Sequence, residues 1–459
     1  MINSLDQFHR PYFIGIAGTG MSALAQYLQG IGKYVEGSDR FFVPGVVNEV
    51  KVKLEQEGIQ CHPQDGTGLH EKIDLIVVST AIEDTVIEVQ QAKLKGIPII
   101  HRAALLALIA SSKKTIAVAG TSGKSTTSAL LFDMLEKGGL APSIISGAGL
   151  VSLIKKGKIG NAIVGSGEWL VIEADESDGS LVQYHPAIGL LLNIDKDHDE
   201  IDLLLPLFTQ FRDHSERFVV NQGHSLAASL SVNANNDFCA QERESAAGYL
   251  ATDFKQEGLS IQFKVNDIPF SLHQIGRHNM ENAVAAAAVA NQLGVSLSVC
   301  AEALKTYEGI YRRQQVLGKK EGVWVIDDYA HNPVKCAAVI AACQPVAEKV
   351  IAWFQPHGYK PTRFLRNDFV QEIAAVLRPQ DEIWMSEIYY AGGSAVKDIS
   401  AADLINDLKA LGVHAFFVED RNQFLSQVRP HFTSSSVLLL MGARDPSLEN
   451  FASTIWEQL

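Results

Sequence analysis

TIAVAGTSGKSTTSALLFDMLEK, residues 115–137, decides the fold class of this chain. Thr115–Ala119 is a short apolar run of buried-strand character, and SALLFDMLEK carries apolar residues at helical spacing. Between them lies Gly120-Thr121-Ser122-Gly123-Lys124-Ser125-Thr126-Thr127. A strand, a glycine turn and a helix in that order turn free backbone N–H groups and the positive end of a helix toward an anion. Lys124 adds a point charge for β- and γ-phosphates, and the Ser125 hydroxyl suits Mg²⁺. The spacing departs from the full GxxxxGK[ST] form, because Val118 stands where its first glycine belongs. A residue at a loop–helix junction packs little, so Lys124→Ala is expected to leave the fold intact.

The same alternation runs outward in both directions. Upstream, Tyr12–Ile16, Lys33–Gly37, Leu75–Ser79 and Ile97–Ile100 read as strands, with helical segments between and an apolar helix, Ala103–Ala110, at the end. Downstream, Leu170–Glu173, Ile188–Asn193 and Phe218–Asn221 are further buried runs. From Gly248 to His273 the pattern shortens into β-rich pieces such as Ser260–Val265, which predict a small antiparallel add-on. The Ala-rich helix Asn279–Gln292 follows. A third block starts near Arg312, with strands at Val323–Asp327, Lys349–Phe354, Glu382–Ser386, Ala415–Val418 and Val437–Met441 and helices such as Pro333–Ala342 and Asn367–Leu377. The expectation is an α/β protein of three domains. Residues 1–111 form a Rossmann-like domain, 112–311 a central P-loop-type ATPase domain with a parallel sheet and the add-on, and 312–459 a second Rossmann-like domain.

Composition narrows the function. With 47% hydrophobic and 20% charged residues, the chain is ordinary globular material rather than a disordered or fibrous one. Its 39 basic against 52 acidic residues leave a net charge of −13, which argues against nucleic acid or an anionic membrane as partner. The five cysteines form no CxxC pair, so neither a disulfide scaffold nor a zinc-site spacing is present. The first residues have no basic and apolar leader pattern, and no uncharged apolar run reaches the ~18 residues of a membrane span. A cytoplasmic protein without membrane insertion is expected.

Other motifs sit where an α/β sheet presents its ligands, at the carboxyl ends of strands. Glu173-Ala174-Asp175-Glu176-Ser177-Asp178 and Asn193-Ile194-Asp195-Lys196-Asp197-His198 each end an apolar run and offer oxygen and imidazole donors for a cation beside the phosphates. Gly15-Ile16-Ala17-Gly18-Thr19-Gly20-Met21 follows the first strand, with Ser38-Asp39 after the second. Its glycines fall as GxxGxG rather than GxGxxG, yet the physics is still that of a diphosphate at a helix start. Gly276-Arg277-His278-Asn279, with Asn282 one turn later, leads into the Ala-rich helix. Arg312-Arg313 heads the third block, and Asp327-Asp328-Tyr329-Ala330-His331-Asn332-Pro333 and Phe354–Arg363 end two of its strands.

Taken in order, the glycine turn, GTSGKSTT, EADESD, NIDKDH, GRHNMEN, RRQ and DDYAHNP resemble the Mur ligases over roughly residues 12 to 446. The resemblance implies a three-domain, ATP- and Mg²⁺-dependent ligase. Such an enzyme joins an amino acid (here L-alanine) or a peptide to the carboxylate of UDP-N-acetylmuramate through an acyl phosphate. It implies that Gly120, Thr121, Ser122, Gly123, Lys124, Ser125 and Thr126 hold the ATP phosphates. Ser125, Glu173 and His198 would surround Mg²⁺. Asn279 and Asn282 would reach the adenine end, and Arg313 and Asp328 would approach ATP from the third domain. Lys124, His198, Arg313 and His331 form the implied catalytic set. Gly18, Gly20, Met21, Ser38, Asp39, Ser79 and Arg102 match the UDP-sugar side, and His331, His357, Tyr359 and Arg363 the acceptor side.

Three departures stand out. Ser122 replaces the histidine of the usual GTHGK, and Asn332 the second histidine of DDYxHHP. Where relatives with a similar first-domain start read FQPHRYxRTR, Gly358 and Pro361 fill two arginine positions, and Arg363 remains. A carboxylate binds best to a bidentate guanidinium, so the acceptor side is the part that differs. A peptide acceptor, or a non-catalytic sensor of UDP-sugar or nucleotide, stays open at this level.

Overall fold

The structure, a computed structural model, describes residues 2–176, 179–196, 200–241, 245–390, 392 and 396–459. Its chain forms two compact units. One consists of Met1–Thr252, Lys264–Phe270 and Glu281–Ile310, and the other of Asp253–Phe263, Ser271–Met280 and Tyr311–Leu459.

The first unit holds two parallel-type sheets. One has the order Gln60–Pro63, Glu36–Asp39, Pro11–Ile14, Leu75–Val78, Ile99–His101, all parallel. The second has the order Arg217–Val220, Ile188–Leu191, Lys114–Ala119, Trp169–Ala174, Ser143–Ile145, Ala162–Ile163, with only the last pair antiparallel. Central parallel strands are covered on both faces, which is why they read as unbroken apolar runs. Ile116–Ala119 and Leu170–Ile172 are fully buried. One continuous apolar cluster joins the two sheets, from Phe13 and Leu24 through Ala117 and Ile172 to Phe208.

A buried polar knot lies in the same unit. Asn161 Nδ2 donates to Thr19 O (2.7 Å) and Ser22 Oγ (3.0 Å), and its Oδ1 accepts from Gln26 Nε2 (2.6 Å). These bonds tie the helix Thr19–Gly30 to the approach of the Ala162–Ile163 strand.

The Phe238–Cys239, Tyr249–Glu257, Ser260–Val265 and Ile268–Leu272 strands form the small add-on sheet, in that order. Its first pair runs parallel, a feature absent from the antiparallel expectation. In the second unit the sheet order is Gln315–Lys320, Val323–Asp328, Ser436–Gly442, Lys349–Gln355, Glu382–Met385, Ala415–Phe417. All pairs are parallel except the edge pair of Gln315–Lys320 with Val323–Asp328. Helices cover both faces, with Ile340 and Phe369 on one side and Phe424 and Phe451 on the other. No helix among the described residues is long and apolar enough to cross a membrane.

Candidate functional site

The phosphate-loop reading has a clear geometry. Lys114–Ala119 ends at Gly120 (φ +134°), and Gly123 (φ +87°) precedes the helix Lys124–Lys137. Both glycines occupy backbone space that a Cβ would strain. A Cβ on Gly123 would also lie 2.4 Å from Asn282 Oδ1. Asn193 braces the loop: its Oδ1 accepts from Thr121 Oγ1 (2.9 Å) and Ser122 N (2.8 Å), and its Nδ2 donates to Ser122 O (3.1 Å). Thr121 Oγ1 in turn accepts from Asp195 N at 3.0 Å. The first-turn N–H groups of the helix have no intrahelical partner, as at every helix start, and no side chain caps them here.

Lys124 is not loosely packed, which corrects the expectation from its position. Its side chain is 15% exposed, and Nζ donates to Gly120 O (2.7 Å) and to Glu176 Oε2 (2.6 Å), with Asp175 at 3.8 Å. Burial works against the ammonium charge, but Glu176 and then Asp175 outweigh it and hold its pKa above the usual lysine value. Ser125 Oγ donates to Glu173 Oε2 at 3.0 Å. The other oxygen of Glu173 accepts from Ser146 Oγ (2.8 Å) and Gly147 N (2.5 Å), which fixes the carboxylate on the loop. Thr126 is half-buried in the first helical turn.

A hydroxyl and a carboxylate side by side at a phosphate loop fit Mg²⁺, which takes one or two protein oxygens and completes its shell with phosphates and water. Among the described residues no group of three His, Cys, Asp or Glu side chains is arranged to hold a metal by itself. His198, the third metal ligand of the sequence reading, lies outside the described residues, as do Ser177, Asp178 and Asp197. Asn282 Oδ1 accepts from Thr127 Oγ1 at 3.2 Å, so it sits against the loop helix.

The glycine turn of the first sheet gathers most of its own set. Gly18 caps the helix Thr19–Gly30, and a Cβ on Gly20 would lie 2.9 Å from Arg102 Nη1, so Arg102 reaches over the turn. Ser38 O accepts from the N–H of Gly15 (2.8 Å) and Ile16 (3.0 Å). Asp39 gives its two oxygens to Ala17 N (2.9 Å) and Phe41 N (3.0 Å), so it shapes the turn from within. Ser79 ends the neighbouring strand, and its carbonyl accepts from Ile82 N. Met21 is a core residue: its side chain is buried in the apolar cluster and its N–H bonds Gly18 O.

In the second unit the two adjacent arginines part ways. Arg312 is buried and bidentate on Asp327 (2.9 and 3.3 Å), with a further bond to Gly442 O. Arg313 lies with its guanidinium carbon 4.9 Å from the Tyr329 ring centre. Burial raises the Asp328 carboxyl pKa, against the pull of Arg313 and of the bonds from Gln314 N (2.7 Å) and Ala330 N (2.6 Å). Asn279 Nδ2 donates to Gln314 Oε1 (2.7 Å) and Ile275 O (2.8 Å). His331 Nδ1 donates to Tyr329 O at 3.0 Å, and its ring centre is 5.6 Å from that of His357. The backbone on either side of His357 pairs with Tyr389, which brings Tyr390 to 5.4 Å from Tyr359, ring centre to ring centre. Arg363, the acceptor-side cation of the sequence reading, is half-exposed and ion-paired with Asp398.

Several residues at these edges were not singled out from sequence: Ser146, Asp398, Arg421 and Arg444. The first three lie far along the chain from their side-chain partners, and Arg444 from Tyr329, which its backbone N–H meets. Positive φ at a non-glycine residue marks the last of them, and no sequence pattern reports that.

Three family models match in sequence order: the Mur ligase family catalytic domain at residues 10–114, the Mur ligase middle domain at 118–290, and the Mur ligase glutamate ligase domain at 312–444. A relative from Syntrophomonas wolfei, named UDP-N-acetylmuramate–L-alanine ligase, is 33% identical over 453 residues, covering 95% of this chain and 94% of its own. One from Acidithiobacillus ferrooxidans with the same name is 33% identical over 462 residues, covering 96% of each. The crystal structure of the UDP-N-acetylmuramate–alanine ligase of Thermotoga maritima is similar with a TM-score of 0.78 at 25% identity, covering 98% of both chains. A murein peptide ligase from Psychrobacter arcticus shares the fold at a TM-score of 0.66 and 19% identity. With all three of its segments matched and the strand–glycine turn–helix in place, the chain belongs to the Mur ligase family.

Proposed function

We propose that this chain is an ATP-dependent amide-bond ligase that joins L-alanine to the carboxylate of UDP-N-acetylmuramate, in the cytoplasmic synthesis of peptidoglycan precursors. The observation that carries the reading is the pairing of Lys124 and Ser125, at a helix start after a glycine turn, with the strand-end carboxylates Glu176 and Glu173. The one-third identity to ligases of that name along nearly the whole chain supports it. Residues 1–111 take the UDP-sugar, through Gly18, Gly20 and Arg102. Residues 112–311 take ATP, and 312–459 take the amine.

In this reading a carboxylate oxygen of the sugar attacks the γ-phosphorus, and ADP leaves. Lys124 offsets the charge that moves onto the transferred phosphoryl group, and Arg313 keeps the ATP-side role that the Mur ligase resemblance implies. Ser125 and Glu173 would hold Mg²⁺, which when bound screens the phosphate oxygens. The amine then attacks the acyl carbon, and phosphate leaves. Because His331 Nδ1 carries its proton toward Tyr329 O, Nε2 is the ring's accepting nitrogen and suits the amine's departing proton. Exclusion of water protects the acyl phosphate from hydrolysis.

The test is release of ADP and phosphate from ATP and Mg²⁺, with UDP-N-acetylmuramate and L-alanine added singly and together. Release that needs both, with a product heavier by one alanyl residue, is expected. No release, or release indifferent to the UDP-sugar, refutes the assignment. Gly358 and Pro361 favour one second reading, a peptide acceptor. An L-Ala-γ-D-Glu peptide that outcompetes L-alanine would establish it.

A further inference from the structure

In the second unit the strand Ser436–Gly442 lies between Val323–Asp328 and Lys349–Gln355. The chain leaving each neighbour turns into helices on one face, Pro333–Cys343 and Arg366–Val376, which pack through Ile340 and Phe369. The chain leaving Ser436–Gly442 turns into Leu448–Gln458 on the opposite face, packed through Phe451 and Ile455. Where neighbouring strands send their helices to opposite faces, a crevice opens at their carboxyl ends, and ligands of α/β sheets bind there. Arg444 emerges in that crevice, two residues beyond the strand.

Its backbone is strained. Arg444 has φ +62°, a region that a side chain with a Cβ disfavours and that glycine takes freely. The neighbouring Asp445 is buried and anchored by Arg421 (2.5 Å), and Arg444 N donates to Tyr329 Oη at 3.4 Å. The guanidinium itself is exposed and has no hydrogen-bond or ion-pair partner among the described residues. Packing therefore gives no reason for an arginine at this position. Arg312 (φ +54°) and Gln314 (φ +47°), near the same edge, are also in the left-handed region. Strain of this kind gathers where function fixes the backbone.

We propose that Arg444 binds the carboxylate of the incoming amino acid, in place of the cations that positions 358 and 361 lack; this rests on the ligase reading above. The other guanidinium groups around this edge are committed: Arg363 to Asp398, Arg366 to Asp407, Arg421 to Asp445 and Arg312 to Asp327. Arg313 stacks on Tyr329. Arg444 keeps the whole planar fork that a carboxylate accepts in two hydrogen bonds.

The test compares wild type, Arg444→Gly and Arg444→Lys at saturating ATP and UDP-N-acetylmuramate, with L-alanine or L-alaninamide as acceptor. L-Alaninamide carries the same amine and methyl group but no carboxylate. In Arg444→Gly, kcat/KM for L-alanine should fall by about 30-fold, the worth of a charged hydrogen bond. With L-alaninamide it should stay within about 2-fold, because no charged bond is lost there. The KM for ATP should not move, and the thermal midpoint should hold or rise, because glycine relieves the backbone. Arg444→Lys, which keeps the charge but not the fork, should recover part of the preference for L-alanine. Equal losses with both acceptors, an unchanged preference, or a rise confined to the KM for ATP would each overturn the assignment; the last would place Arg444 on phosphate. A wild type that turns over neither acceptor would instead remove the L-alanine reading and this inference with it.

Discussion

Lys124→Met separates what this lysine does for the fold from what it does for phosphate. In the native chain its Nζ lies 2.6 Å from Glu176 Oε2, and the two side chains are 15% and 3% exposed. Removing the lysine leaves Glu176 charged and buried without a counter-ion, and Gly120 O without a donor. Breaking one partner of a buried pair costs ~3–5 kcal/mol. The partial exposure of Lys124 argues for the lower end, about 3 kcal/mol. Lys124→Met/Glu176→Gln removes the stranded charge as well, and neutral replacement of a buried pair is close to break-even, within ~1 kcal/mol. Urea unfolding should therefore show a destabilised single variant and a double variant near wild type, while ATP-dependent phosphate release is absent from both. The pH dependence has a definite sign. With its folded pKa above the ordinary value, Lys124 contributes stability that is complete below about pH 10 and lost as pH rises through the folded value. A single variant as stable as wild type, or a double variant as unstable as the single, would refute the pairing argument.

Three further outcomes are expected. Glu173→Gln keeps the side-chain size but weakens the oxygen donor beside Ser125, so the Mg²⁺ concentration for half-maximal rate should rise about 10-fold; an unchanged Mg²⁺ titration would remove Glu173 from the cation site. Asn161→Ala leaves Thr19 O, Ser22 Oγ and Gln26 Nε2 each short of one partner inside the first unit, and should lower stability in urea by ~2–3 kcal/mol. A loss under about 0.5 kcal/mol would show that water replaces those bonds readily. Burial, with Glu136 and Glu308 adding to it, raises the Asp133 carboxyl pKa to about 7, so the folded chain binds an extra proton between the ordinary carboxyl range and pH 7, and stability falls as pH rises through that window. Asp133→Asn escapes this and should be more stable than wild type by roughly 2 kcal/mol at pH 8, after halving for solvent screening, with no gain near pH 4.

Some strands are legible in the sequence and others are not, for a physical reason. Lys114–Ala119, Trp169–Ala174 and Ser436–Gly442 lie inside parallel sheets, and burial on both faces writes them as apolar runs. Gln60–Pro63 and Gln315–Lys320 are edge strands without such a run, and hydropathy does not report them. Lys33–Gly37 shifts to Glu36–Asp39 because Glu36 is buried among Arg10, His62 and His70, so a charged residue stands where the pattern asks for an apolar one.

The candidate sites divide in the same way. The phosphate loop is local, and its glycines, lysine and serine are adjacent in the chain, so their chemistry can be read in one stretch. The electrostatic state of the loop is not local. Glu176 neutralises Lys124 across 52 positions, and Asn193 braces Ser122 across 71. The RRQ motif shows the limit most plainly. Two adjacent arginines are equivalent in sequence, yet Arg312 takes a left-handed backbone and turns inward to Asp327, while Arg313 is left on the face of Tyr329. Only the bidentate bond to a buried carboxylate distinguishes the structural arginine from its neighbour, and that bond depends on a register between strands that the sequence does not encode locally. Arg444 follows the same logic in reverse. Its exposure and strain are informative only beside Arg312, Arg363, Arg366 and Arg421, each held by a carboxylate, whereas the Arg444 guanidinium has no such partner among the described residues.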